Sequence, residues 1–149
     1  MNSYLRVWTL LALACLSPNG AARAYDFEPL KPLDLRTVDP AMAAELFGAY
    51  EIRDKGGQKR CRIVLLKETA IGGYGVEVDP KCKAAFPVMD DVAGWRLLES
   101  WTIDLIDPLR KTRVRFETPD NRYVASGEPS DIAGMHELRK LPSAAGKKR

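Results

Sequence analysis

The stretch Trp95-Arg96-Leu97-Leu98-Glu99-Ser100-Trp101-Thr102-Ile103-Asp104-Leu105 decides the fold of this chain. In its first half the apolar residues Trp95 and Leu97 flank Arg96, and in its second half every second residue from Trp101 is apolar. Apolar residues at every second position predict a strand with one buried face. The stretch therefore predicts two antiparallel strands that are joined by a tight turn at Glu99-Ser100.

The same alternation recurs on both sides of this stretch, each time between turn residues. The apolar positions that share a face are Leu46, Gly48, Tyr50 and Ile52; Cys61, Ile63 and Leu65; Tyr74, Val76 and Val78; Val114 and Phe116; Tyr123 and Ala125; His136 and Leu138. The turns and breaks between them are Gly56-Gly57, Gly72-Gly73, Asp79-Pro80, Asp107-Pro108, Pro119-Asp120-Asn121 and the run 127–134. Residues 81–89 interrupt the series and predict a short helical turn or loop.

Counting these segments gives about eight short strands at a spacing of roughly 8–12 residues. Sequential antiparallel strands with tight turns predict an all-β, eight-stranded up-and-down barrel, and a β-sandwich is the rival topology. Six rings fall on predicted inward positions, which favours a filled core over an empty pocket. They are Tyr50, Tyr74, Trp95, Trp101, Phe116 and Tyr123.

The first 24 residues have the layout of a secretory signal. Arg6 supplies positive charge, residues 7–16 form a short apolar run, and Ala22-Arg23-Ala24 is a small-residue cleavage site. We expect cleavage before Tyr25 and a periplasmic mature protein, with secretion as an alternative. Lipidation at Cys15 is the competing interpretation, and it would anchor the protein at an outer membrane.

After cleavage only Cys61 and Cys82 remain. In an oxidising compartment two cysteines are expected to form a structural disulfide. A metal pair is the rival, but His136 is the only histidine that could complete a site, and it is expected to be a packed strand residue. Asp90-Asp91 is an acidic pair that could bind a cation, but a solvated turn is the more common explanation for such a pair. We expect no metal or other cofactor and no catalytic residue.

Residues 25–43 differ in composition from the predicted barrel, which spans residues 44–141. Pro29, Pro32 and Pro40 stand among alternating charges, and proline fits neither a helix interior nor a central strand. Extended backbone is expected, with an unordered leader as the alternative. Residues 142–149 form a basic tail. Loss of residues 1–24 lowers the formal charge from +3 to +1, and no basic stripe is present, so nucleic acid is not expected as a partner.

The chain resembles the bacterial alkaline metalloprotease inhibitor family of the Inh type, whose relatives include outer-membrane lipoproteins. The resemblance runs from about Ala44 to Leu138. It is carried by the following motifs, in order: Ala44-Glu45-Leu46-Phe47-Gly48-Ala49-Tyr50-Glu51-Ile52; Cys61-Arg62-Ile63-Val64-Leu65-Leu66; Cys82 with Phe86-Pro87; Gly94-Trp95-Arg96; and Val114-Arg115-Phe116 leading to Tyr123.

This resemblance implies a lipocalin-like barrel with one disulfide and an extended N-terminal segment. It also implies a non-enzymatic, monomeric inhibitor of a secreted or periplasmic serralysin-type zinc protease. The inhibitory residues would be Tyr25, Asp26, Phe27, Glu28 and Pro29, with the α-amino group of Tyr25 on the zinc of the target. Independently of the resemblance, the inward positions of Tyr50, Trp95, Trp101, Phe116 and Tyr123 predict that these residues form the structural core.

Three features depart from the family pattern. Tyr50 stands where the family usually has Trp, the turn at residues 107–110 lacks the usual Gly, and the segment before the barrel is longer than usual. Fully extended, residues 25–41 could reach about 55–60 Å. Two other functions fit the same fold: a carrier of a small apolar ligand in the barrel mouth, and an envelope protein without inhibitory activity.

Overall fold

Eight antiparallel strands close into a barrel in which each strand pairs with its neighbour in sequence and β1 pairs with β8. A computed structural model describes residues 26–127, 132 and 134–142. The strands are β1 (Gly48–Asp54), β2 (Arg60–Ala70), β3 (Gly73–Val78), β4 (Gly94–Leu98), β5 (Thr102–Ile106), β6 (Thr112–Glu117), β7 (Tyr123–Ser126) and β8 (Met135–Lys140). The predicted up-and-down barrel is confirmed.

Two short α-helices and three 3₁₀ turns complete the described structure. They are α1 (Pro40–Leu46), α2 (Cys82–Ala85), and the 3₁₀ turns Leu35–Thr37, Pro87–Asp91 and Glu99–Trp101. Residues 1–25 and 143–149 lie outside the described residues, and with them the predicted signal segment, Cys15, Tyr25 and most of the predicted tail.

The start of the barrel differs from the alternation that the sequence suggested. Residue 46 ends helix α1, and β1 begins only at Gly48. The side chain of Asp39 accepts hydrogen bonds from the amides of Ala41 and Met42, and Pro40 occupies the first helical position. An N-cap Asp followed by Pro favours a helix start, so this local signal outweighs the alternation.

One end of the barrel is closed by the connection between β3 and β4. Cys82 opens α2 and forms a disulfide with Cys61 of β2, which confirms the predicted pairing. Phe86 and Met89 follow in the same connection and are buried. Because the disulfide joins this connection to the barrel wall, it fixes the closure in place.

The core fills the barrel with the inward residues of the strands. The most completely buried large side chains include Tyr50, Ile52, Ile63, Leu65, Phe86, Trp95, Ile103, Leu105, Phe116 and Leu138. The Trp95 indole N–H donates to the Leu66 carbonyl oxygen at 3.2 Å, which satisfies its only polar atom. Of the predicted core rings, Tyr50, Trp95 and Phe116 are buried, whereas Trp101 and Tyr123 are only partly buried.

Candidate functional site

The N-terminal segment, residues 26–34, lies against the barrel wall. The Leu33 amide donates to the Leu97 carbonyl oxygen at 3.0 Å, and the Glu99 amide donates to the Lys31 carbonyl oxygen at 2.8 Å. Pro32 bridges Leu98 between these two bonds. The register places only Tyr74 of β3 opposite β4, so the later residues of β4 are left with backbone groups that the segment can pair.

A second attachment point is the guanidinium of Arg115 on β6. Its Nη1 donates to the backbone oxygen of Glu28 at 2.6 Å, and its carbon lies 5.0 Å from the ring centroid of Phe27. Arg115 is 3% exposed, so its guanidinium is almost fully removed from water, whereas Phe27 is half-buried and Glu28 is exposed. Phe27 and Glu28 are therefore positioned by the barrel as well as by their own backbone preference.

Asp104 on β5 holds Arg115 in that orientation. Its two carboxylate oxygens accept from Nε and Nη2 of Arg115 at 2.7 and 3.1 Å, in a bidentate pair. Asp104 Oδ2 also accepts from Arg96 at 3.1 Å and from the Thr112 hydroxyl at 2.7 Å. Asp104 is fully buried, and its charge is compensated by two guanidinium groups and a hydroxyl.

The three charged residues form a row across the outer face of the sheet. Arg96 pairs in register with Asp104, and Asp104 pairs in register with Arg115. Alternation with Trp95, Ile103 and Phe116 places these three residues on the outward face, and the sequence alone suggests no role for them. The sequence does contain a signal for this row, because Asp104 lies on a strand whose two neighbours each carry an arginine. The signal can be recognised only once the strand register is known.

The segment and the wall enclose a cavity of about 340 Å³. Arg110 and Lys111 of the β5–β6 turn line it together with Arg96 and Arg115, while Asp26 and Glu28 contribute to its lining from the segment. The charges on the two sides are opposite in sign. This complementarity favours the docked position of the segment over a free one.

The structure locates four of the five predicted inhibitory residues. Asp26, Glu28 and Pro29 are exposed, Phe27 is half-buried, and Tyr25 lies outside the described residues. Residues 26–34 contain no helix, in line with the predicted extended backbone, whereas the rest of the predicted extended segment (residues 35–43) forms the 3₁₀ turn Leu35–Thr37 and the first turn of α1. The described part of the segment does not reach freely away from the barrel. From Phe27 onward the segment follows the barrel wall. In this docked position it does not project away from the barrel as a fully extended chain would.

The predicted alternatives for metal binding find no support in the described part of the chain. No group of three or more His, Cys, Asp and Glu side chains within residues 26–127, 132 and 134–142 is placed to hold a metal ion. Asp90 pairs with Lys83 at 2.6 Å, Asp91 pairs with Arg113 at 2.7 Å, and His136 is half-buried on β8. Each aspartate is thus paired with a different basic side chain.

The described residues contain no helix that is both long enough and apolar enough to span a bilayer.

Comparison with known proteins gives one family. A family model described as "Protease inhibitor Inh" matches residues 40–133, which is more than half of the chain. The match begins at the first residue of α1 and ends before β8, so the docked segment lies outside it. Comparison with curated proteins found no match.

Proposed function

This chain belongs to the protease inhibitor Inh family, and from that premise we propose that it blocks serralysin-type zinc metalloproteases by placing its N-terminal segment in the active-site cleft. The single observation that supports this mechanism is the contact of Arg115 with Phe27 and Glu28. It holds an extended peptide on a rigid wall and leaves Asp26, Glu28 and Pro29 exposed to a partner.

Docking on the wall lowers the entropic cost of inhibition. A free peptide loses conformational freedom when it enters a cleft, and this loss weakens binding. The backbone bonds of Lys31 and Leu33 and the contact of Arg115 already order the segment in the free protein. Pro29 and Pro32 restrict it further, because proline fixes φ. The proposed inhibitor therefore presents its segment as it lies on the barrel.

The proposed contact between the N-terminal amino group and the target follows from the coordination chemistry of zinc. A catalytic zinc has three protein ligands and an open position for water or substrate. An α-amino group has a pKa of about 7.7–8.0, so the metal deprotonates it at little cost. If the mature chain begins at Tyr25, its amino group lies at most about 7 Å beyond Phe27, since an extended residue spans about 3.3–3.6 Å. A chain whose N-terminus ends at the metal places no peptide bond across the catalytic site, so the protease cannot cleave it.

The proposal also covers the export, the location and the partner of the protein. Residues 1–24 act as a signal peptide, and the mature, monomeric protein works in the periplasm, where Cys61 and Cys82 are oxidised. The protein has no catalytic activity of its own. Its partner is a secreted or periplasmic protease of a bacterium.

The test compares the mature chain with a variant that lacks residues 25–30, using inhibition of a serralysin-type zinc protease as the readout. The truncation should raise the inhibition constant about thirty- to thousandfold, because removal of hot-spot residues costs about 2–4 kcal/mol. Deletion of residues 143–149 at the other terminus is the matched control and should change little. Acetylation of the N-terminus separates coordination of zinc by the amine from simple filling of the cleft.

Two results contradict the proposal. Full inhibition by the truncated chain would place the contact on another surface of the barrel. Inhibition of a serine protease but not of the zinc protease by the full chain would show that the target class is wrong.

A further inference from the structure

The mouth of the barrel opposite the disulfide holds a pocket of about 770 Å³. This volume lies within the range of about 300–1,000 Å³ that is usual for small-molecule sites. The pocket lies between α1, the turns β4–β5 and β6–β7, and the end of β8. The sequence predicted that aromatic rings would fill the barrel, whereas here Trp101 and Tyr123 line a space instead of closing it.

The floor and walls of the pocket are apolar and aromatic. Leu46, Tyr50 and Leu138 are buried and form part of its lining, and Trp101 and Tyr123 are partly buried. The Tyr50 hydroxyl donates to the Leu46 carbonyl oxygen at 2.9 Å, so this phenol offers the pocket mainly its ring. A chain of methylene groups would lose its contact with water against such a surface.

Trp101 is held at the pocket by strained backbone. Its φ is 58° and that of the preceding Ser100 is 59°, in the left-handed region that bulky residues rarely adopt. Glu99, which precedes them, is bonded through its amide and its side chain to Lys31 of the docked segment. Backbone strain of this kind persists only where the surroundings enforce it, and it occurs frequently at ligand sites.

One ammonium group faces into the mouth. Lys140 pairs in register with Tyr50 on the inward face, and its Nζ lies 5.8 Å from the centroid of the Tyr50 ring. The residue is exposed at the rim, and partial burial of its side chain lowers the pKa of Lys140. Within residues 26–127, 132 and 134–142, Lys140 has no ion pair, so its charge is compensated only by the ring and by the more distant Glu45.

The rim adds further positive charge. Arg122 and Arg139 line the pocket, and so do the carboxylates of Glu45 and Glu137. The three cations exceed the two acids, and no salt bridge is found among these five side chains in the described structure. An anionic group at the mouth would therefore meet a net attraction, and Lys140 lies beside the Tyr50 ring of the apolar lining.

We propose that this pocket binds a single-chain amphipathic carboxylate of medium length, a fatty acid anion, with its head group at Lys140 and its chain against Leu46, Trp101 and Tyr123. This site is separate from the docked N-terminal segment and does not depend on protease inhibition. A double-chain lipid has a larger apolar volume, and a long cation would place its charge against Lys140. The pocket therefore selects for one chain and for negative charge.

The test measures binding of decanoate to the mature protein by titration calorimetry and by tryptophan emission, to which both Trp95 and Trp101 contribute. Decanol and decyltrimethylammonium are the matched probes for chain without charge and chain with opposite charge. Lys140→Gln removes the ammonium, Lys140→Arg restores a cation, and Lys55→Gln makes the same charge change at the far end of the barrel. Octanoate and dodecanoate vary the chain length.

Saturable 1:1 binding of decanoate is expected, and Lys140→Gln should weaken it about tenfold, as for the loss of a hydrogen bond to a charged group. Lys140→Arg and Lys55→Gln should stay within about twofold of the wild type. Each added methylene should tighten binding up to about fourfold while the chain remains in the pocket.

The proposal is overturned if the wild type shows no saturable binding below the micelle concentration of decanoate. It is also overturned if Lys140→Gln and Lys55→Gln have the same effect, since that result reports only net charge. Should Lys140→Gln fail to fold, the wild type decides the matter, because equal affinity for decanoate and decanol would exclude a role for the carboxylate.

Discussion

Arg115 donates a 2.6 Å hydrogen bond to the backbone oxygen of Glu28, a residue 87 positions earlier in the chain. This contact joins the N-terminal segment to strand β6 of the barrel. The same guanidinium is held by the buried Asp104, so the segment is attached to a side chain whose orientation is fixed. The position of the proposed inhibitory residues is thus set by the barrel.

Replacing Arg115 with methionine should destabilise the protein by about 3 kcal/mol. Loss of one partner from a buried ion pair costs about 3–5 kcal/mol, and the lower end applies because Arg96 and Thr112 still contact Asp104. Urea denaturation followed by tryptophan fluorescence measures the change. Arg113→Met, which breaks the more exposed pair with Asp91, should cost less than about 1 kcal/mol. Equal losses in the two variants would contradict the structural role of Arg115.

The docked segment should resist hydrogen exchange in the wild type and lose this protection in Arg115→Met. The amides of Lys31 and Leu33 donate to Glu99 and Leu97, and both bonds depend on the segment staying against the wall. Exchange at these two amides should accelerate under conditions where the barrel remains folded. Arg113→Met again serves as the control. Slow exchange in both variants would show that the β4 contacts alone hold the segment.

Removing the disulfide should cost about 3 kcal/mol. The bond joins Cys61 and Cys82, which are 21 positions apart, and the chain-entropy model gives about that value for a loop of this length. Replacing both cysteines with alanine avoids leaving a single buried thiol. Thermal and urea denaturation of this double variant, beside the wild type with and without a reducing agent, provide the measurement. A reduced wild type that is as stable as the oxidised protein would refute this estimate.

Gly73→Ala should destabilise the barrel by about 1–3 kcal/mol, the usual cost of overpacking. A Cβ at residue 73 would overlap the carbonyl oxygen of Trp95, which is backbone and cannot move aside alone. Gly56→Ala is the control, because its Cβ would lie no closer than 3.7 Å to its neighbours and its φ is not positive. That variant should be neutral or slightly more stable, since alanine restricts the unfolded chain. The ranking of the two midpoints in urea decides the prediction.

Alkaline pH should weaken the fold through the phenols of the buried Tyr50 and the partly buried Tyr123. Burial raises the pKa of Tyr123 to about 12, and it also raises the pKa of Tyr50. The unfolded chain ionises tyrosine near pH 10 and therefore binds fewer protons than the folded chain above that pH. The stabilisation is complete below about pH 10 and is lost as the pH rises toward 12. The slope of the unfolding free energy between pH 9 and 11 should be shallower in Tyr123→Phe than in the wild type.

Short sequence motifs were sufficient to predict those turns and helix starts whose conformation depends on residues close in sequence. The turns at Gly56-Gly57 and Gly72-Gly73 were recognisable because glycine and its neighbours restrict the backbone over a few residues. Helix α1 could have been found in the same way, from Asp39 and Pro40 at its start. Trp101 was misplaced as a strand residue, since its backbone is left-handed and belongs to the turn between β4 and β5.

By itself the sequence determined about eight short antiparallel strands and one disulfide, and it favoured a closed barrel over a β-sandwich, because alternation, turn residues and cysteine count are properties of short stretches and of composition. The tertiary structure alone decided that Arg96, Asp104 and Arg115 form a buried row, that residues 26–34 are docked on it, and that the barrel mouth stays open beside Lys140. The physical reason is strand register. Alternation tells which face a side chain occupies, but only the pairing of distant strands decides which charges meet and what covers them.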